Sequence, residues 1–284
     1  MPHEPGPNVQ RRLLGRQLRQ YREERGITVA EAAEFLGVRP PTLYRIEKGA
    51  QAILPRNVRL LCQLYRIGAP LLDNLLARAE RCNEPGWWVS YSDSVPDWFA
   101  EYVGLESDAA EIWTYEAELI PGLLQTADYV RAVASAAQDA DEGEVQRLVE
   151  FRKARQDRIT APDNPPALHA VLNEAVLRRI VGDPEVMRTQ LHHLLDVAQY
   201  EHVTLQVLPF SAGAHAAMTG SFTMLRFPEG LEMDVVFLEH DHGGMYLERP
   251  ADLERYSWVF RRLSEQALTP DASVKLIASL AQDL

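Results

Sequence analysis

Residues 28–50, TVAEAAEFLGVRPPTLYRIEKGA, decide the fold of the N-terminal part of this 284-residue chain. Thr28 followed three residues later by Glu31 is a capping box, in which each side chain satisfies an open backbone amide at a helix start. The helix it opens buries Ala32, Ala33 and Leu36 and stops at Gly37, which reaches left-handed backbone without a steric penalty. Pro40 and Pro41 then occupy a first helical turn, where a missing amide hydrogen costs nothing. Leu43 and Ile46 supply the buried face of this next helix, and Gly49 ends it. Two helices of about two turns each, with small alanines at the crossing and a glycine turn between them, make a helix-turn-helix pattern.

Working outward, Leu14, Leu18 and Tyr21 fall at helical spacing ahead of a stop at Arg25-Gly26. Pro55 starts a fourth helix through Leu60, Leu61 and Leu64, and Ala69-Pro70 starts a fifth through Leu72, Leu75 and Leu76. Residues 1–82 are therefore expected to form an all-α domain of five helices. Residues 83–94, NEPGWWVSYSDS, read as an aromatic join that packs rather than tethers. Beyond it, EIWTYEAEL, ALHAVLN, VTLQVLPF, SFTMLRF and MDVVFLEH have strand character. Helical stretches lie between them at about 143–159 and from Pro184 to Tyr200, and two more close the chain around Leu253, Tyr256, Phe260 and Leu263 and around Val274, Ile277 and Leu280. Residues 95–284 are expected to be an α+β domain with an antiparallel sheet of four or five strands.

Composition narrows the classes. At 46% hydrophobic and 25% charged, with no long biased run, the chain is not collagen-like, not a coiled coil and not wholly disordered. Cys62 and Cys82 are its only cysteines, too few for a disulfide framework, and read as reduced apolar fillers. The N-terminal MPHEPGPNVQRR lacks the apolar run of a signal peptide, and no stretch reaches the roughly 18 apolar residues of a membrane span. A cytoplasmic protein with no membrane partner is expected. The net charge of −12 hides a split: residues 1–82 hold 14 Lys and Arg against 8 Asp and Glu, and residues 83–284 hold 15 against 33. A basic head on an acidic body is the distribution expected of a polyanion binder with a separate, non-binding domain; the alternative is chance segregation of solvated charges.

The 28–50 run resembles the Xre/Cro-type helix-turn-helix of phage-repressor relatives, and the likeness extends over residues 9–78. It implies a lambda-repressor-like domain acting on a double-stranded DNA operator. It also implies a buried Arg22–Glu47 ion pair locking the first helix to the third, and Arg39, Pro41, Thr42, Tyr44 and Arg45 on the groove-facing side of the recognition helix. Arg39, Pro40 and Pro41 depart from the small or amide residues usual there, so base preference does not carry over. Arg45 suits a bidentate contact to guanine and Pro41 a thymine methyl; the alternative is an arginine touching only phosphate. Thr28 at a helix start, with Lys48, Gln51, Arg56 and Asn57 beyond the recognition helix, are candidates for phosphate contact, which orients without specifying.

The C-terminal motifs PGLLQTADYVRAV, LNEAVLRRIVG with VMRTQLHHLL, VVFLEHDHGGMYLE and ALTPDASVKLIASL resemble actinobacterial WhiJ-like, antitoxin-like regulators, which are often encoded beside a small partner protein. The resemblance implies a transcriptional regulator and supplies no ligand; the leading expectation is a nucleoid-associated homodimer whose C-terminal domain carries dimerisation and responds to a small molecule or a small partner protein. The alternative is an antitoxin-like protein that mainly sequesters its partner and binds DNA only to regulate itself.

Enzymatic readings are thin. His240, Asp241 and His242 with Glu239 could hold a metal, but equally form a polar hairpin turn before Gly243-Gly244. Ser211, His215 and Asp241 could be written as a hydrolase triad, yet no G-x-S-x-G surrounds the serine. No P-loop and no G-x-G-x-x-G occurs, and no cofactor or metal is expected. A binding pocket is the better reading: Trp113 and Tyr115 on one strand face, Gln125 and Tyr129 at a helix start, His215 and Phe222 at a glycine-rich crossing, and Glu239 at a strand end. The alternative is that Trp113 and Tyr115 are ordinary core.

Overall fold

The computed structural model describes residues 6–84, 86–91, 96–137, 141–228, 233–240 and 242–284. The chain divides into two compact units, Met1–Ser90 and Tyr91–Leu284.

The first unit is helical. Its elements are α1 (Pro7–Glu24), α2 (Val29–Leu36), α3 (Pro40–Glu47), α4 (Pro55–Leu64) and α5 (Leu71–Arg81), and a 3-10 turn follows at Trp87–Tyr91. The local signals act as chemistry requires. Thr28 Oγ1 accepts the Glu31 amide while the Glu31 carboxylate accepts the Thr28 amide, closing the capping box. Gly37 is left-handed at φ 68° and ends α2, and Pro40 and Pro41 occupy the first turn of α3. One core gathers Leu14 and Leu18 of α1, Ala32 and Ala33 of α2, Leu43 and Ile46 of α3, Leu61 of α4 and Leu75 of α5. Cys62 and Cys82 are free thiols within it.

The second unit is built on a six-stranded sheet ordered β3-β2-β1-β4-β5-β6. Its elements in chain order are α6 (Asp97–Asp108), β1 (Glu111–Glu116), α7 (Ala127–Ala137), α8 (Glu142–Gln156), β2 (Ala167–Asn173), α9 (Glu174–Arg178), α10 (Pro184–Val197), β3 (Val203–Leu208), β4 (Phe222–Arg226), β5 (Val235–His240), β6 (Gly243–Leu247), α11 (Pro250–Gln266) and α12 (Pro270–Gln282). The expected antiparallel sheet is corrected to a mixed one. β1, β2 and β3 run parallel, whereas β1–β4, β4–β5 and β5–β6 are antiparallel. The reason lies in the connections: helices α7 and α8 join β1 to β2, and α9 and α10 join β2 to β3, and crossovers of that length return the chain in the same direction.

The sixth strand, β6, lies where the sequence offers only a glycine pair. Gly244 opposes Glu239, and a Cβ on it would lie 2.1 Å from the Phe237 ring. The glycine gives that ring room, and Phe237 packs 4.4 Å from Tyr102 of α6. Helix α11 covers the opposite face, where Phe260 stacks on Trp113 at 5.1 Å and joins Tyr115, Val171, Met224 and Val236 in a second core.

Candidate functional site

Helix α3 is held from below by a buried charge pair and a close backbone crossing. Arg22 Nε and Nη2 donate to the two Glu47 carboxylate oxygens at 2.6 and 2.9 Å, and Nη1 donates to Ile27 O at 3.0 Å. One guanidinium thus joins the end of α1, the turn before α2 and the end of α3. The hydrogen bond to Glu47 raises the Arg22 pKa against the opposing effect of burial. Gly15 of α1 lies under α3: a Cβ there would fall 2.5 Å from Ile46 O and 2.7 Å from Glu47 O. Gly49, at φ 67°, repeats this at the helix end, where a Cβ would stand 2.6 Å from the Arg12 Cα.

With Leu43, Ile46 and Glu47 buried, α3 turns the rest of its surface outward. Arg39, Pro41, Tyr44 and Arg45 are exposed, and Thr42 is half-buried. Tyr44 is 48% exposed and carries the Lys48 ammonium 5.0 Å from its ring centre. Lys48 and Arg56 are exposed, and Gln51 and Asn57 are half-buried. Thr28 is exposed at the start of α2, and its hydroxyl donates to the Glu31 carboxylate at 2.7 Å within the capping box.

The seven residues read from sequence as a pocket do not form one. Tyr115 is 1% exposed; its hydroxyl accepts from Asn173 Nδ2 at 3.3 Å and lies 3.4 Å from His215 Nε2. Trp113 is stacked under α11. Gln125 donates to Ile120 O, and Tyr129 Oη accepts the Ile120 amide, so these two brace a turn. Trp113 lines one cavity of the unit, and Phe222 and Glu239 line another. Ser211 is exposed, and Asp241, named in both enzymatic readings, lies outside the described residues. Among the described residues no group of three or more His, Cys, Asp and Glu is placed to hold a metal.

The cavity that Phe222 and Glu239 line, of about 410 Å³, takes Ile112, Thr114 and Glu116 from one face of β1 and reaches Tyr256 of α11. It draws Phe99, Tyr102 and Glu106 from α6, Thr114 and Glu116 from β1, Arg152 and Arg155 from α8, Ser221 and Thr223 from around β4, and Phe237 and Glu239 from β5, with Gly122 of the turn before α7. Arg155 is 4% exposed and binds Glu106 with two hydrogen bonds of 2.8 and 2.7 Å. Burial opposes its charge, but the Glu106 carboxylate overcomes this and raises its pKa. Arg152 has no such partner among the described residues; burial and then neighbouring Arg155 push it down to about 10. Burial likewise lifts the Glu116 carboxyl to about 7, against a hydrogen bond from Ser221. Sequence reasoning missed Arg152, Arg155, Glu106 and Glu116. Their one visible signal was the polar side of β1, Thr114 and Glu116, in a strand with helices on both sides.

Residues 13–75 match a helix-turn-helix domain family, and residues 99–279 match a family described as a domain of unknown function, DUF5753. No curated protein and no solved structure matches the chain. No helix among the described residues is long and apolar enough to cross a membrane. The second match spans more than half of the sequence, so the chain belongs to the DUF5753 family and carries a helix-turn-helix domain ahead of it.

Proposed function

We propose that the protein is a sequence-specific, DNA-binding transcriptional regulator of the Xre type whose second unit responds to a small molecule. The observation that carries the reading is α3, anchored by Arg22–Glu47 below while Arg39, Pro41, Tyr44 and Arg45 face outward. A side chain that reaches a base edge must be both exposed and fixed in direction, and this helix supplies both. The charge split supports it, since the excess of cations over anions lies in residues 1–82. In this reading the protein is not an enzyme, works as a homodimer at the nucleoid, and places two copies of α3 about 34 Å apart on successive major grooves. Arg45 and Arg39 read bases, while Lys48, Gln51, Arg56 and Asn57 hold phosphate. An effector in the cavity changes the spacing of the two helices and so the operator affinity.

A second reading keeps the WhiJ-like, antitoxin-like relationship and puts a small protein where the effector would be. It is favoured by Phe210 and Met218, 57% and 69% exposed between β3 and β4. Selection of duplexes by the full-length protein from a random pool tests the first reading: an enriched, near-palindromic site supports it. Enrichment of no sequence, together with stable co-purification of a small neighbouring gene product, favours the second.

A further inference from the structure

Two arginine side chains meet in the cavity of the second unit with donors that no protein group accepts. Arg155 Nη1 and Arg152 Nε are buried without any hydrogen-bond partner, although Arg155 binds Glu106 through its other two nitrogens. Both side chains converge on Gly122, where a Cβ would lie 2.1 Å from Arg152 Nη1 and 3.2 Å from Arg155 Nη1. Two guanidinium nitrogens therefore sit within about 5 Å of each other, where like charges repel unless an anion joins them. Leaving such donors unpaired away from water is costly, and natural interiors seldom do so without a functional reason.

The charge balance of the walls decides which anion fits. Glu106 neutralises Arg155, which leaves Arg152 facing Glu239 and Glu116. The walls hold two arginines against Glu106, Glu239 and Glu116, so an anion here is held by directed guanidinium N–H donors rather than by net charge, and a phosphate dianion would meet more repulsion than a monoanion. Glu239, with no hydrogen-bond partner among the described residues, is an acceptor for a hydroxyl or amine elsewhere on the same molecule. Phe99, Tyr102 and Phe237 give the remaining wall an aromatic lining.

We infer, building on the reading of this unit as a sensor, that the cavity binds a small carboxylate monoanion. Its carboxylate sits on Arg152 and Arg155, its apolar or aromatic body lies on Phe99, Tyr102 and Phe237, and a donor group reaches Glu239. Arg152 is the specificity-determining residue, because Arg155 is already committed to Glu106.

The test uses the full-length protein and three probes at constant ionic strength: 4-hydroxybenzoate, its neutral counterpart 4-hydroxybenzamide, and phenyl phosphate. Calorimetry and melting temperature should show saturable binding of 4-hydroxybenzoate, weaker binding of phenyl phosphate and none of the amide. Arg152→Met should weaken the carboxylate by on the order of tenfold to a hundredfold, the loss of one charge-assisted hydrogen-bonded contact. The same variant without ligand should melt no lower than the parent, since it removes a half-buried guanidinium whose Nε has no hydrogen-bond partner. Gly122→Ala, which keeps every charge but displaces the Arg152 guanidinium, should also lose the carboxylate. The site is overturned if 4-hydroxybenzoate shows no saturation up to roughly 20 mM, if phenyl phosphate binds more tightly, or if Arg152→Met binds it unchanged. Carboxylate binding that needs Arg152 but leaves operator affinity unmoved would uphold the site and remove the sensor role instead.

Discussion

Arg22 and Glu47 show how much one buried pair can decide. Both are nearly inaccessible, and each satisfies the other with two hydrogen bonds. Removing one partner strands the other charge in the core, which typically costs about 3–5 kcal/mol. Glu47→Ala should therefore lower the denaturation midpoint of the helical unit strongly and abolish duplex binding, whereas a wild-type midpoint would show that the pair does not hold α3. Glu116 works in the opposite sense. Its carboxyl is raised from 4.5 to about 7 by burial. Below its ordinary pKa it is protonated in both folded and unfolded chains and carries no penalty. As pH rises towards 7, the unfolded chain releases its proton while the folded one keeps it, so stability declines across that window and levels off above it. Glu116→Gln should flatten the decline: its melting temperature should exceed the parent's at about pH 8 and equal it at about pH 4. A gain of the same size at both pH values would contradict the assignment.

At the scale of elements, the first unit was legible because its signals are local. Thr28 and Glu31, Gly37, Pro40 and Pro41 each act within one turn of where they stand, so reading them in sequence is nearly reading them in space. The Arg22–Glu47 tie between α1 and α3 was expected, but the close approach at Gly15 was not legible, because nothing near Gly15 names Ile46 as its neighbour. It is testable: Gly15→Ala presses a methyl against two backbone carbonyls that cannot rotate away. It should cost about 1–3 kcal/mol by overpacking and shift α3, weakening operator binding more than its stability loss alone explains. Thermal melts beside operator titrations separate the two effects.

In the second unit, Ala167–Asn173 and Val203–Leu208 emerge where their apolar runs put them, but their pairing direction depends on the helices between. Those helices were visible, and giving the crossovers their due weight would have made the first three strands parallel. β6 escaped because Gly243-Gly244 has the composition of a turn; its pairing depends on the Phe237 ring across the ladder.

For the whole molecule, the charge split is the property read most directly from sequence, and the cavity the one read least. The cavity takes residues from Phe99 to Tyr256 out of eight separate segments, and its arginines sit in FRKAR on α8, a run that reads as solvated charge until Phe151 and Arg155 are found buried. Glu239 was noticed only because it ends a strand. The excess of Lys and Arg in residues 1–82 should supply the phosphate contacts, so duplex affinity of the full-length protein should fall steeply with salt. Lys48→Ala should weaken all sequences alike and reduce that salt slope by about one.

The most direct measurement is fluorescence anisotropy of the full-length protein and its Arg45→Ala variant on the selected operator and on a scrambled duplex, over a range of salt. If α3 reads bases, Arg45→Ala should lose on the order of 1–3 kcal/mol on the operator, keep its affinity for the scrambled duplex and leave the salt slope little changed. An equal loss on both duplexes would mean that Arg45 touches only phosphate, and the assignment of α3 as the sequence-reading helix would not stand.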